Sequence, residues 1–349
     1  MVVYGHMGYQ GWVPLVVGCA SIGVVLFFFL SGFLMGHHYI PGESLGIISS
    51  KSLRYWIAFL LRRFLRVYPP YVFAPVLGYL LLMPYMPPDF EQTAGFEHLA
   101  VVDELVQIAS FKGNLGIYWT IQVELFFYLL YPLIISLCLL RRNNAKTLLL
   151  LFVALVLINH FPPSRLGIPW SLPWPHFWAG YTSVFVAGVF TAVMVRNNSR
   201  LLDIWNLSWN ALSAISFVAL AVVVALLSTY QPTHGVIWTL EWLFAPLFFI
   251  LFISLIKSTG FTGRILSNPL STTIGHASYS LYLVHIIGIC FVSRRISPEY
   301  QGFLSAAMVL VVLTSAYYML VERPFVILAK RIRVVACAHT GRCAGNPKP

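Results

Sequence analysis

The stretch that decides the fold runs from residue 117 to residue 140 and reads IYWTIQVELFFYLLYPLIISLCLL. Glu124 is its one charged residue. A helix that crosses the hydrocarbon core of a bilayer needs about 20 mainly apolar residues, so this stretch is long enough to span a membrane. A helix of the same length on a water-soluble protein would carry a polar, charged face. The stretch therefore predicts a transmembrane helix.

The rest of the chain has the same character. Of its 349 residues, 59% are hydrophobic and only 9% are charged, whereas about 25% of the residues of a soluble domain are charged. The net charge is +11, which in a soluble protein would suggest nucleic acid as a partner. Here the basic residues lie between apolar runs, so we expect membrane lipids as partners and no nucleic acid.

Hydropathy predicts an all-α, polytopic transmembrane helical bundle with nine full spans. The predicted spans cover residues 13–35, 70–86, 117–140, 147–161, 176–195, 209–228, 238–256, 274–293 and 302–322. The apolar stub at residues 1–12 resembles the end of a truncated first helix, which would bring the total to about ten. We expect residues 1–333 to form one membrane-embedded domain and residues 334–349 to form a disordered tail.

Basic residues are distributed unevenly between the predicted loops. When residues 51–66 are placed on the cytoplasmic side, eighteen of the 22 Lys and Arg residues fall inside and four outside. Cytoplasmic loops of membrane proteins carry such an excess. We therefore expect a cytoplasmic C-terminus, and we expect the protein in a bacterial inner (plasma) membrane.

Polar residues inside the predicted spans are the first candidates for function. Thr120, Glu124, Tyr128 and Tyr131 fall on one stripe of a helix. A carboxylate within a span is energetically costly, so Glu124 is a functional candidate. The alternative is a structural ion pair with an arginine of a neighbouring helix.

Two further segments lie near predicted cytoplasmic ends of spans. Arg63 and Arg66 are three residues apart and share a helical face, and two guanidinium groups are suited to binding phosphate. An ordinary basic flank is the alternative for them. Ser31 and Gly32 are small residues that permit close approach either by a ligand or by a neighbouring helix.

The C-terminal part of the chain adds four candidates. Tyr282 and His285 share a helical face, and a buried histidine is most often a hydrogen-bonded structural residue. Glu322 and Arg323 close the last predicted span, where a Glu–Arg pair would anchor the fold. Pro324 is expected to stop that helix.

Five segments, taken in order, resemble the motifs of the acyltransferase-3 family of integral membrane acyltransferases. They are residues 28–34 (FFLSGFL), 63–70 (RFLRVYPP), 119–132 (WTIQVELFFYLLYP), 278–285 (SYSLYLVH) and 322–324 (ERP). The resemblance implies a membrane-bound O-acyltransferase that moves an acyl group, usually acetyl, from acyl-CoA to a hydroxyl group.

The resemblance also assigns roles to residues. His6 aligns with an essential histidine at the end of the family's first helix, and it would act as a general base or as a transient acyl carrier. Glu124 is the second catalytic candidate. Arg63 and Arg66 would bind the phosphates of coenzyme A, while Ser31 and Gly32 would line the path of its pantetheine arm. The residues expected to be structural or secondary are Tyr128, Tyr282, His285, Glu322 and Arg323.

The expected partners follow from the same resemblance. Acetyl-CoA or another acyl-CoA is the donor substrate, and a carbohydrate, a lipid-linked sugar or a small-molecule hydroxyl is the acceptor. We expect no permanently bound cofactor. We also expect no metal site, because Cys337, His339 and Cys343 in the tail lack a second pair of ligands.

Two alternatives remain open at this point. A secondary transporter would share the number of helices and the intramembrane Glu and His, but it should carry repeats that the sequence does not reveal. An inactive homologue is the second alternative. The family tends to carry an arginine eleven residues before its essential histidine, a position that falls before Met1, so either the chain starts upstream or the first helix has been lost.

Overall fold

Helices account for nearly all of the described part of the chain, and no strand occurs within it. The computed structural model describes residues 1–14, 19–39, 53–82, 109–110, 116–139, 144–160, 176–196, 208–230, 243–258 and 260–338.

The α-helices of these residues are numbered in chain order. They are α1 (Val2–Tyr9), α2 (Cys19–Tyr39), α3 (Leu53–Leu82), α4 (Trp119–Leu139), α5 (Asn144–His160), α6 (His176–Arg196), α7 (Trp209–Tyr230), α8 (Phe244–Lys257), α9 (Phe261–Ser267), α10 (Pro269–His276), α11 (Ser278–Arg295), α12 (Phe303–Tyr317) and α13 (Arg323–Ala338). Short 3₁₀ turns, Gly116–Tyr118 and Pro298–Tyr300, precede α4 and α12. A π-helical turn, Tyr318–Glu322, joins α12 to α13.

Four helical segments are long and apolar enough to cross a membrane. They are Cys19–His37, Gly116–Cys138, Trp209–Leu226 and Phe303–Ile332. Two bent pairs, α8 with α9 and α10 with α11, raise the number to six if each pair counts as one span. The predicted all-α membrane fold is therefore confirmed, whereas the described residues support four to six candidate spans and do not confirm nine.

The helix α3 begins much earlier than the span predicted at residues 70–86. It starts at Leu53 and continues through Pro69, Pro70 and Pro75. Hydropathy placed the boundary too late because arginines lower hydropathy without interrupting a helix, for which arginine is a good former. Arg63 and Arg66 thus lie on the same helix as the predicted span, on the part that precedes it.

The last helix also runs past its predicted end. Pro324 does not stop it, because the chain continues through the π-helical turn into α13 and reaches Ala338. The proline comes just after the π-helical turn, inside the continuous helical segment Phe303–Ile332, and does not end it. The predicted boundary between 333 and 334 falls inside α13. Residues 339–349, including His339 and Cys343, lie outside the described residues.

The chain divides into two compact units. The first comprises Met1–Ser49 and Leu133–Gly275, and the second comprises Ser50–Pro132 and His276–Pro349. In the first unit, α2 and α5 pack on α6, and α7 packs on α8. In the second unit, α11 and α13 pack on α3, and α12 packs on α11.

The crossing of α2 and α6 in the first unit brings two backbones into direct contact. A Cβ atom built on Gly32 would overlap the carbonyl oxygen of Phe185, and one built on Gly188 would overlap the carbonyl oxygen of Phe29. Only glycine leaves room for such an approach. Gly32 is therefore a residue on which the packing of this unit depends.

The same crossing continues one turn further along both helices. A Cβ on Gly36 would lie 2.8 Å from the Cβ of Ala192. Small residues thus recur four positions apart on each helix, which is the pattern that lets membrane helices pack closely. The Phe28 ring fills the space beside the crossing, 4.9 Å from the Phe185 ring and 5.0 Å from the Tyr181 ring.

Candidate functional site

The predicted site residues are divided between the two units. His6, Ser31 and Gly32 belong to the first unit. The members in the second unit are Arg63, Arg66, Glu124, Tyr128, Tyr282, His285, Glu322 and Arg323.

The second unit brings Arg63, Tyr128 and Glu124 together where α3 faces α4. The guanidinium carbon of Arg63 lies 5.2 Å from the centroid of the Tyr128 ring and 5.9 Å from that of the Phe59 ring. The Tyr128 hydroxyl donates a hydrogen bond to Oε1 of Glu124. Glu124 and Tyr128 are each only 4% exposed. The predicted stripe on α4 therefore presents a carboxylate and a phenol on the side that meets Arg63.

Arg63 and Arg66 occupy different environments despite their shared helical face. Arg63 is half-buried against two aromatic rings, whereas Arg66 is exposed. A planar guanidinium stacks on aromatic rings while its N–H groups stay directed outward along its edges. The rings thus restrict the orientation of Arg63, whereas the side chain of Arg66 is accessible from outside the protein.

Hydrogen bonds tie α11 to the beginning of α4. The Tyr282 hydroxyl lies 2.7 Å from the Thr120 hydroxyl oxygen and donates to the Ile117 carbonyl. In the opposite direction, the Tyr118 hydroxyl donates to the Leu283 carbonyl at 3.1 Å. Because these groups are largely enclosed by the protein, each bond satisfies polar atoms that would otherwise be costly to bury. These contacts favour the structural interpretation of Tyr282.

His285 is completely buried on the next turn of α11. Its Nδ1 atom lies 2.6 Å from the Tyr282 carbonyl oxygen. A carbonyl can only accept a hydrogen bond, so this contact places the proton on Nδ1. The contact favours the structural interpretation of His285.

Glu322 is buried and caps α11 from outside that helix. Its Oε2 atom accepts hydrogen bonds from the backbone N–H of Ser280, at 3.1 Å, and from the Ser280 hydroxyl. Ser280 lies in the first turn of α11, where N–H groups have no partner within the helix. Ala277, at the capping position, makes no side-chain hydrogen bond to that turn. Glu322 supplies the missing acceptor and a negative charge at the positive helix end.

Arg323 does not pair with Glu322. It is exposed, and Nη1 donates to the sulfur of Met319 at 3.4 Å. The predicted Glu–Arg pair is therefore wrong, because adjacent positions on a helix point in different directions. The anchor at this point is formed by Glu322 with Ser280.

Two tyrosines that the sequence interpretation did not single out fasten other helices to α3. The Tyr279 hydroxyl donates to the Val67 carbonyl at 2.7 Å, and the Tyr317 hydroxyl donates to the Pro70 carbonyl. The signal available in the sequence is a phenol in an apolar helix, because a buried tyrosine hydroxyl usually has a partner. The partner itself, on a helix more than 200 residues away, could not be read from spacing.

The π-helical turn explains how Tyr317 and Glu322 both reach buried partners. In an α-helix, residues five apart are separated by about 140° around the axis. The wider turn, with its i→i+5 hydrogen bonds, reduces this angle. Tyr317 then contacts α3 and Glu322 contacts α11, and those two helices pack against each other.

His6 lies on α1, which is not among the candidate spans and packs on α2. A Cβ built on the neighbouring Gly5 would lie 3.0 Å from the Cβ of Ala20. His6 is half-buried, and burial lowers its pKa to about 4. The imidazole is therefore neutral near pH 7, which is the form that can accept a proton.

Ser31 and Gly32 are not near His6 along the α1–α2 pair. Ser31, half-buried, follows Ala20 by eleven positions on α2, which corresponds to about 16 Å of helix. The backbone of Gly32 is in direct contact with the backbone of α6 at Phe185. Helix packing therefore explains why a glycine stands at position 32. The role of Ser31 and Gly32 in binding coenzyme A stays a prediction.

Comparison with known proteins agrees with the family resemblance of the motifs. Residues 1–321 match the acyltransferase-3 family, described as an acyltransferase domain. A relative named "Putative acetyltransferase ORF330", from Acidianus two-tailed virus, is 25% identical over 228 residues. That alignment covers 65% of this chain and 63% of the relative, so the chain spans less than two thirds of the relative's length. No solved structure matches. Because the matched region contains four of the five motifs and most of the chain, the protein belongs to the acyltransferase-3 family of acyltransferases.

Proposed function

We propose that this protein is a membrane-bound O-acyltransferase that moves an acyl group, in the first instance acetyl, from acyl-CoA to a hydroxyl group. The acceptor is a carbohydrate, a lipid-linked sugar or a small molecule with a comparable hydroxyl. The observation that carries the proposal is the arrangement of Arg63 on the rings of Tyr128 and Phe59, beside Glu124, in a chain of an acyltransferase family.

The arginines would bind the donor. Coenzyme A carries several phosphates, and guanidinium groups bind phosphate through paired, charge-assisted hydrogen bonds. Arg63 is already oriented by its aromatic neighbours, so it loses little side-chain entropy on binding. Arg66, which is exposed, would contact a second phosphate. The contacts of Glu124 favour a positioning role for it, since it holds Tyr128, which in turn supports Arg63.

His6 would perform the proton transfers. The neutral imidazole removes the proton of the acceptor hydroxyl, whose oxygen attacks the thioester carbonyl. The new ester bond forms, the carbon–sulfur bond breaks, and the coenzyme A thiolate leaves and receives the proton. General base catalysis of this kind contributes typically 10²–10⁴-fold.

The donor is expected to bind from the cytoplasm. The excess of basic residues on one side favours a cytoplasmic position for Arg63, for Arg66 and for the C-terminus. In a bacterium the corresponding membrane is the inner membrane.

The test is transfer of labelled acetyl groups from acetyl-CoA to extracted glycans by the protein in proteoliposomes. His6→Ala should lower the turnover rate by about 10²–10⁴-fold. Arg63→Ala should raise the KM for acetyl-CoA by about tenfold or more, because it removes charge-assisted hydrogen bonds worth about 1.5–3 kcal/mol. His276→Ala and Arg62→Ala are the matched controls and should remain active. Normal turnover in His6→Ala, or an unchanged KM in Arg63→Ala, would disprove the corresponding role.

The aromatic support of Arg63 can be tested in the same assay. Tyr128→Phe keeps the ring and loses the hydrogen bond to Glu124, whereas Tyr128→Leu loses both. If the ring orients Arg63, the leucine variant should raise the KM for acetyl-CoA several-fold more than the phenylalanine variant, with kcat little changed. Equal KM values in the two variants would show that the ring does not orient Arg63.

A further inference from the structure

The short helices α9 and α10 present apolar side chains to their surroundings. Phe261 and Ile265 on α9 are 77% and 44% exposed, and Leu270 and Ile274 on α10 are 70% and 55% exposed. Neither helix contains a buried residue. Within each pair the residues are four apart, so they lie on one face of their helix.

A cluster of polar groups fixes the start of α9 against the first turn of α7. Oδ1 of Asn210 accepts hydrogen bonds from the Gly260 N–H at 2.9 Å and from the Ser258 hydroxyl at 2.7 Å. The hydroxyl oxygens of Ser213 and Thr262 lie 2.8 Å apart. These bonds therefore fix the end of α8 and the start of α9 at the level of the first turn of α7.

The first turn of α7 is also where its candidate membrane span begins, so this level is the expected edge of the membrane. The candidate span Trp209–Leu226 begins at the residue next to this cluster. The ammonium of Lys257, the last residue of α8, lies 4.9 Å from the Trp209 ring. Tryptophan is enriched at the membrane–water boundary, and lysines at helix ends extend toward it.

The direction of α9 then places it along the membrane surface. Its axis makes an angle of 86° with that of α8. The helix α8 packs on α7, which holds the candidate span Trp209–Leu226, and membrane-spanning helices tilt on average by about 20°, so α9 runs close to the plane of the bilayer. Residues 257–276 include Lys257 and Arg264 and no acidic residue. A positively charged segment of this kind is attracted to anionic lipid headgroups.

We infer that α9 and α10 form an interfacial helix pair, whose exposed apolar face is covered by the lipid bilayer. The neighbouring helix α7, on which α9 packs, also exposes apolar side chains, at Ile215, Val218 and Val222. It lies on the membrane and does not complete a span. The inference is independent of the catalytic proposal.

Site-directed spin labelling in vesicles of phosphatidylcholine and phosphatidylglycerol tests this inference. Single cysteines are introduced by Phe261→Cys and Leu270→Cys, in a protein whose native cysteines are replaced by alanine. Ser267→Cys and Thr272→Cys place labels on the opposite sides of the same two helices and serve as matched controls. Collisions of each label with oxygen, which partitions into lipid, and with a water-soluble nickel chelate are then measured.

The labels at 261 and 270 should collide more with oxygen and less with the nickel chelate than the two controls. Their depths should be similar, because a helix pair in the plane of the membrane keeps both positions at one level. Strong nickel collisions at 261 and 270 would place the face in water, and few collisions with either reagent would place it against protein. A steep change in depth from 261 to 270 would indicate a spanning or re-entrant segment. Each of these three results would overturn the inference.

Discussion

The α2–α6 crossing of the first unit and the α3–α4–α11 region of the second unit are both built from family motifs, yet they associate in different ways. At the crossing, Gly32 and Gly188 let backbone meet backbone. In the second unit, hydrogen bonds of Tyr282 to Thr120 and of Tyr279 to the Val67 carbonyl connect α11 to α4 and to α3. Lipid chains are as apolar as leucine, so membrane helices associate through close packing of small residues or through polar contacts. The α2–α6 crossing uses the first of these two means, and the α3–α4–α11 region uses the second.

The difference predicts how each region responds to substitution. The crossing has no room for added atoms, so substitutions that enlarge a side chain there should destabilise the fold. The polar region depends on partners for buried groups, so its sensitivity is to the loss of a hydrogen-bond acceptor or donor.

The largest effect is expected from Gly32→Ala. The added Cβ would overlap a backbone carbonyl, which cannot move aside as a flexible side chain can, so the two helices must separate. Overpacking of this kind costs about 1–3 kcal/mol or more. We expect a large loss of folded protein and a lower Tm in detergent.

Two glycines provide a graded control for that experiment. Gly36→Ala meets side-chain and backbone atoms at 2.8 Å and beyond, so a smaller loss is expected. Gly275→Ala meets nothing within 4 Å and should leave the Tm unchanged or slightly higher. A Gly32→Ala protein as stable as Gly275→Ala would contradict the backbone contact.

An intermediate effect is expected from Glu322→Ala in the second unit. It leaves the Ser280 N–H and hydroxyl without their acceptor, at a cost of about 1–3 kcal/mol. Glu322→Gln keeps an oxygen acceptor and the side-chain volume, so its Tm should lie closer to that of the unchanged protein. Thermal unfolding of the three proteins gives the comparison, and equal Tm values for the alanine and glutamine variants would argue against capping.

The smallest effect is expected from changing pH around His6. Because burial lowers the pKa of His6 to about 4, the unfolded chain binds a proton between pH 4 and 6.5 that the folded chain does not. The free energy of unfolding therefore rises with pH across this window. If His6 is the base, kcat/KM should stay nearly constant from pH 7 down to about pH 5. An acid limb centred near pH 6.5 would disagree with a buried His6.

The buried stripe on α4 shows what the sequence could predict. The spacing of Thr120, Glu124, Tyr128 and Tyr131 placed them on one face, and all four are buried. Helical periodicity is a local property, so it can be read from the chain directly. The family was predictable for a similar reason, since five motifs occur in a fixed order.

Contacts between distant segments could not be predicted in this way. Nothing near Arg63 in the sequence indicates that the Tyr128 ring lies against it, and nothing near Tyr317 indicates the Pro70 carbonyl. The start of α3 was misplaced because hydropathy reports preference for lipid, whereas a helix requires only backbone hydrogen bonds. For Gly32 both a ligand and a helix were plausible neighbours from residue size, and only the structure identifies Phe185.

The π-helical turn Tyr318–Glu322 makes the fold dependent on the number of residues in this segment. A wider turn holds more residues than an α-helical turn, so α13 is out of phase with α12. Deleting a single residue such as Leu320 would leave the apolar character of the segment almost unchanged. It would nevertheless rotate everything after it by about 100° relative to α12. Glu322 would then face away from α11, so at this point the fold is sensitive to the number of residues as well as to their identity.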